Sequence, residues 1–214
     1  MENSMRYSSA QIDLARKKIL DNAKQLLEEA EILYKYERYA RVYTLSHLAF
    51  EELAKILILA SAPGKIQKVN QYNWRLVNQE LRDHISKLNS SVQFNLEHEE
   101  HFLKITGKEE MVLDEIIKKM NQLKNDSLYV SNQNRNFQKP SEIITQEIAE
   151  HMRKVVSDYF EFIEIYEETL RGNYNDEGLT EEEINELIAD LDSFSFLELF
   201  EDPNEPDSVD LSSK

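Results

Sequence analysis

With 214 residues the chain has room for one domain of ordinary size plus an appendage. Only four glycines and four prolines, against abundant Leu, Ile, Glu, Lys and Ala, favour an almost wholly helical protein. The absence of cysteine excludes a disulfide framework, thiolate metal sites and thiol catalysis, and it fits a reducing cytosol. The net charge of −16 is uneven: after Gly172, 14 acids face one base, Lys214 (−13), whereas the first 172 residues hold 27 acids and 24 bases (−3). The body is therefore close to neutral, and the acidic total does not count against a nucleic-acid partner.

No apolar run at the start of the sequence suits a signal peptide, and no stretch approaches 18 uncharged apolar residues. A cytoplasmic protein without a membrane span is the expectation. Ser8 or Ser9 caps a long amphipathic helix to about Tyr36, with Ile12, Leu20, Ala23, Leu27, Ala30 and Leu33 roughly following the helical period. A short turn around Glu37 leads to a second helix, expected to end before Pro63-Gly64. A less regular stretch with Trp74 precedes a helix carrying Arg82, Asp83, His84 and Lys87. Residues 89–108 are polar and mixed. His98 and His101 lie there beside Glu97 and Glu100, in a stretch read as a connector with no helical frame. Residues 109–124 form a clear amphipathic helix, and residues 124–139 an Asn-rich loop or short hairpin. Pro140-Ser141 then opens the longest helix, which runs to Arg171 and stops at Gly172. His151 within it reads as a surface residue.

The body is thus expected to span residues 1–172 and the acidic tail residues 173–214. In the tail, Thr180 with Glu183 matches a capping box for a short helix over about 181–191. SFSFLELFEDP follows, an alternation of aromatic, leucine and acidic residues typical of segments that order on meeting a surface. It reads either as a solubilising tail or as a nucleic-acid mimic that docks on a basic groove, in cis or across a dimer.

The most informative stretch is residues 41–60, RVYTLSHLAFEELAKILILA. At 3.6 residues per turn, Leu45, Leu48, Ala49, Ile56 and Leu59 share a face, and Glu52 falls inside it. His47, Glu51 and Lys55 form a second stripe along its edge. A lone buried carboxylate costs several kcal/mol, on the order of the penalty for any unpaired buried charge, so Glu52 needs a partner; Lys55 at i+3 is the nearest. The pair is either a structural lock of a helix bundle or part of a polar site. No GxxxxGK[ST], GxGxxG, HExxH or GxSxG occurs. No cofactor or metal is expected.

The run NAKQLLEEAEILYKYERYARVYTLSHLAFEELAKILIL resembles the opening of the AbiV group of abortive-infection proteins, within the HEPN superfamily of small helical domains. DHISK at residues 83–87, LKNDSLYVS at residues 123–131 and the Pro140-Ser141 helix start fit the same pattern in order. The resemblance spans roughly residues 22–171.

It implies an all-α HEPN-like bundle of about four long helices with short extra ones, commonly a symmetric homodimer. Many HEPN proteins are metal-independent ribonucleases in which the RNA 2′-hydroxyl attacks the adjacent phosphate. Such chemistry needs a base, an acid and cations for the phosphorane charge. Carried over residue by residue, Glu51, Glu52 and Lys55 match the first motif, His84 and Lys87 the second, and Tyr129 the aromatic of the third. His84 would move a proton, Lys55 and Lys87 hold phosphate, and Glu51 and Glu52 orient those cations. Tyr129, Lys124 and Arg135 would bind the nucleic acid. The HEPN ribonuclease signature, an arginine followed four to six residues on by a histidine, fits only Arg41 and His47, whose side chains point about 120° apart on a straight helix. The resemblance implies an anti-phage effector that acts on RNA and shuts down translation or growth, with a phage-encoded protein as activator or inhibitor. The alternative is a non-catalytic binding module for a protein or nucleotide, in which EExxK is an ion-pair lock.

Overall fold

The computed structural model describes residues 9–68, 74–98, 109–133 and 136–172. Arg135, His101 and the tail, including its expected helix over 181–191, lie outside the described residues. In chain order the elements are α1 (Ser9–Lys35), α2 (Tyr39–Lys68), α3 (Trp74–Glu80), α4 (His84–His98), α5 (Glu109–Leu128), β1 (Ser131–Gln133), β2 (Asn136–Gln138), α6 (Pro140–Ile143) and α7 (Gln146–Gly172). Among the described residues the protein is all-α but for this small antiparallel hairpin, in which Asn132 pairs with Phe137.

α2 is the central element and packs on α1, α4, α5 and α7. It is buried on several sides at once, through Val42, Tyr43, Ala49, Phe50, Leu53, Ile56 and Leu57. α1 presents Ala23 and Ala30, both fully buried, to this core, and α7 contributes Met152, Val156, Tyr159 and Ile163. The two small alanines let α1 approach α2 closely. The turn between them takes three residues because Glu37 adopts a left-handed φ of 58°. There Glu37 N and Arg38 N donate to Tyr34 O and Leu33 O, closing the helix end.

Three boundaries differ from the sequence expectation. α2 continues through Pro63-Gly64 to Lys68. A proline removes one backbone hydrogen bond and kinks a helix, but it need not end one whose remaining length is already held by packing. α4 runs to His98 rather than giving way at Asn89, since Leu88 and Val92 supply a buried face among the polar residues. Pro140 opens only the one-turn α6; extended backbone at Ile144 interrupts it. Thr145 then starts α7 afresh, its Oγ1 accepting from Ile148 N at 3.2 Å. The longest helix is therefore α2, with 30 residues, not the one expected from Pro140. No described helix is long and apolar enough to cross a membrane.

Candidate functional site

The carboxylate buried in α2 is Glu51, not Glu52. The Glu51 side chain is 2% exposed, whereas that of Glu52 is 20% exposed and pairs with Lys55 at a partly open edge. The partnership expected of Glu52 and Lys55 is present; the burial assigned to Glu52 belongs to its neighbour. Because α2 is covered on several sides, its apolar residues define no single face, and the neighbouring helices decide which glutamate turns inward.

Those neighbours bring cations. Lys87 of α4 donates from Nζ to Glu51 Oε2 at 2.7 Å. Lys124 of α5 places Nζ 3.6 Å from Oε1. His84, at the start of α4, lies with Nδ1 2.6 Å from Oε2. An ionised carboxylate can only accept, so Nδ1 carries the proton of that bond and Nε2 is left with its lone pair in the neutral ring. His47, one turn before Glu51 on α2, sets Nε2 3.3 Å from Oε1. That approach lacks hydrogen-bond alignment: both His47 nitrogens and Glu51 Oε1 are buried without a hydrogen bond.

Burial works to raise the Glu51 pKa, but contacts with His47, Lys87 and His84 outweigh it and hold the carboxyl well below the usual range. Burial depresses the His47 pKa, aided by the charges of Lys124 and His84 and opposed by Glu51. The group thus gathers two lysines and a neutral His47 around one carboxylate. His84 is its opening to solvent, with the side chain 58% exposed.

Local sequence explains the placement of His84 and Lys87. Asp83 caps α4, its Oδ2 accepting from Ser86 N at 2.7 Å and from Ser86 Oγ at 2.8 Å. Those bonds lower the Asp83 pKa, the backbone bond from Ser86 foremost. With the helix start pinned there, His84 and Lys87 sit three residues apart on one face and reach the same oxygen.

The expected site residues divide accordingly. Glu51, His84, Lys87, Lys124 and His47 come together. Glu52 and Lys55 form a separate pair beside them. Arg41 does not meet His47: its Nη1 donates to Ser127 O at 3.1 Å, closing the end of α5. His47 is fully buried and stacks on Tyr43, with ring centroids 6.0 Å apart. Tyr129 is 66% exposed just after α5. Sequence reasoning missed Thr44 and Ser127, whose hydroxyls meet at 2.7 Å while Ser127 Oγ also donates to Lys124 O. With Arg41 they tie α2 to the last turn of α5, the turn that delivers Lys124. Small hydroxyl residues at helical spacing carry no signal that distinguishes them from solvent-facing ones. His151, expected at the surface, is half-buried in α7.

A family comparison fits this arrangement of motifs. The AbiV family of HEPN domains matches residues 11–161. The chain belongs to the AbiV family. The match covers α1 through most of α7 and includes every residue of the Glu51 group. AbiV proteins are abortive-infection proteins, which places the chain in phage defence. Comparison with curated proteins found no match, and neither did comparison with solved structures. Among the described residues, no group of three or more His, Asp or Glu side chains is arranged to hold a metal ion.

Proposed function

We propose that this AbiV protein is an RNA-directed effector, a metal-independent ribonuclease whose reaction is transesterification by the RNA's own 2′-hydroxyl. The observation that carries this reading is the Glu51–His84 pair, a buried carboxylate bonded to an exposed imidazole, with two lysines on the same carboxylate. Glu51 fixes the His84 tautomer so that Nε2 takes the 2′-hydroxyl proton. The 2′-oxygen bonds to phosphorus, the P–O5′ bond breaks, and the imidazolium returns its proton to the leaving 5′-oxygen. The products are a 2′,3′-cyclic phosphate and a 5′-hydroxyl. Lys87 and Lys124 offset the charge gathering on the phosphorane, and Lys55 stands at the edge where the chain would enter. Tyr129 offers a ring for base stacking. In this reading RNA cleavage halts translation during infection, the working unit is a homodimer, and a phage-encoded protein sets its activity.

A second reading has an observation of its own. Glu51, His47 and Lys87 are almost wholly buried, as a structural lock requires. The chain would then be a binding module for a protein or nucleotide.

Cellular RNA incubated with purified protein, with and without EDTA, separates the two. Wild type, His84→Ala and His84→Gln are compared, and their melting temperatures are recorded alongside. EDTA-resistant cleavage that both variants lose while staying folded supports the ribonuclease. Cleavage that survives in His84→Ala overturns the role given to His84, and RNA left intact by the wild type favours the lock.

A further inference from the structure

The Glu51 group does not account for the apolar side chains exposed just past the end of α5 and on the hairpin. Tyr129, Val130 and Phe137 are 66%, 59% and 71% exposed. Because Phe137 pairs with Asn132, it shares a face of the hairpin with Asn132 and, by two-residue alternation, with Val130. Val130, just before β1, and Phe137 of β2 thus lie on one face, with Tyr129 next in the chain after α5, and three large exposed apolar groups so close together exceed the scattered singles normal for a surface. Cations flank them. Arg41 bonds Ser127 O, two residues before Tyr129; Arg38 is exposed in the turn just before α2; Lys139 is exposed just after β2. The acids nearby in the chain are Glu37, Asp126 and Glu142; Asp126 is buried, and Glu142 already accepts from Lys139 N at 2.7 Å.

We propose that this patch is the docking surface for the chain's own residues 193–200, SFSFLELF. That segment matches the patch in both components. Phe194, Phe196, Leu197 and Phe200 supply apolar contacts, while Asp190, Asp192, Glu198, Glu201 and Asp202 face Arg38, Arg41 and Lys139. The tail's excess of 13 negative charges over a body of −3 gives it the sign that the cationic side attracts.

The reach suffices. The rings of Phe50 and Tyr159 lie 5.1 Å apart, which fixes one level shared by α2 and α7. Gly172 is 13 residues past Tyr159, and Arg41 nine residues before Phe50, so at 1.5 Å per residue the two ends are roughly 35 Å apart. The 21 residues from Gly172 to Ser193 span up to about 70 Å.

The absence of native cysteine makes the test clean. In the full chain, Asn132→Cys, beside Phe137, is combined with Ser195→Cys, between the tail phenylalanines. The control pairs Ser195→Cys with Asp13→Cys, at the far end of the bundle where Ile12 packs by Ile58 and Val77. Under dilute, mild oxidation the first pair closes an intramolecular disulfide at least ~10-fold faster than the control, reflecting a higher effective concentration. Neutralising Glu198, Glu201 and Asp202 to their amides, or adding salt, slows it about fivefold or more. Equal rates for the two pairs overturn the proposal, as does a rate indifferent to charge. A disulfide formed only between chains also overturns it and seats the tail on a second copy instead. None of these readouts involves RNA, so loss of the ribonuclease reading leaves them intact.

Discussion

Glu51→Gln keeps the shape of the side chain and removes its charge. In the folded chain that charge stands 2.7 Å from Lys87 Nζ and 3.6 Å from Lys124 Nζ, inside the bundle. Removing one partner of a buried ion pair strands the others, at a cost of about 3–5 kcal/mol. For a chain of this size each kcal/mol moves the midpoint by about 2–4 °C, so Tm falls by about 6–20 °C. Glu52→Gln, the same change one residue on, removes a partly exposed pair worth ~0–1 kcal/mol and shifts Tm by no more than about 4 °C. pH adds a second check. The folded Glu51 pKa is depressed, so its contribution is complete above the unfolded value of about 4.3 and is lost as pH falls towards the folded one. The deficit of Glu51→Gln relative to wild type, measured by urea unfolding, is therefore full at neutral pH and shrinks progressively below about pH 5. A Glu52→Gln cost equal to that of Glu51→Gln would refute the assignment of the buried charge. So would a Glu51→Gln deficit that persists unchanged into acid.

Three further outcomes follow from the same geometry. His84→Gln keeps the chain folded, because the residue is more than half exposed, and lowers RNA cleavage about 10²–10⁴-fold; single-turnover kinetics beside a thermal melt check both parts. His47 is held neutral by burial, so the unfolded chain takes up its proton first as pH drops below about 6.5. Stability of the wild type should therefore decline from pH 7 to pH 5 through this group, and His47→Gln should flatten that part of the urea-derived profile. Ser127→Ala removes the 2.7 Å bond to Thr44, whose hydroxyl still donates to Ala40 O, and costs about 0.5–1.5 kcal/mol, read from chemical denaturation.

The helical class and the order of the long elements were legible because α1, α5 and α7 are amphipathic: one face of each is buried and the other wet. The phase of α2 was not legible. Val42, Tyr43, Phe50, Leu53, Ile56 and Leu57 are buried around most of its circumference, so a single-face reading put Glu52 inside and Glu51 at the edge. Hydrophobic periodicity carries phase only when one side of a helix stays exposed. What orients the helix here is charge from distant segments, Lys87 from α4 and Lys124 from α5, at 36 and 73 residues' remove. The family resemblance, rather than periodicity, grouped Glu51 with His84 and Lys87, and the structure brings these three together. The resemblance could not assign Arg41 or Thr44, whose partners are a backbone carbonyl and a serine hydroxyl at the end of α5. Those contacts give Arg41 a structural task at the end of α5, and its guanidinium does not meet the buried His47. In the ribonuclease reading proposed above, proton transfer falls to His84, the one histidine of the Glu51 group that reaches solvent.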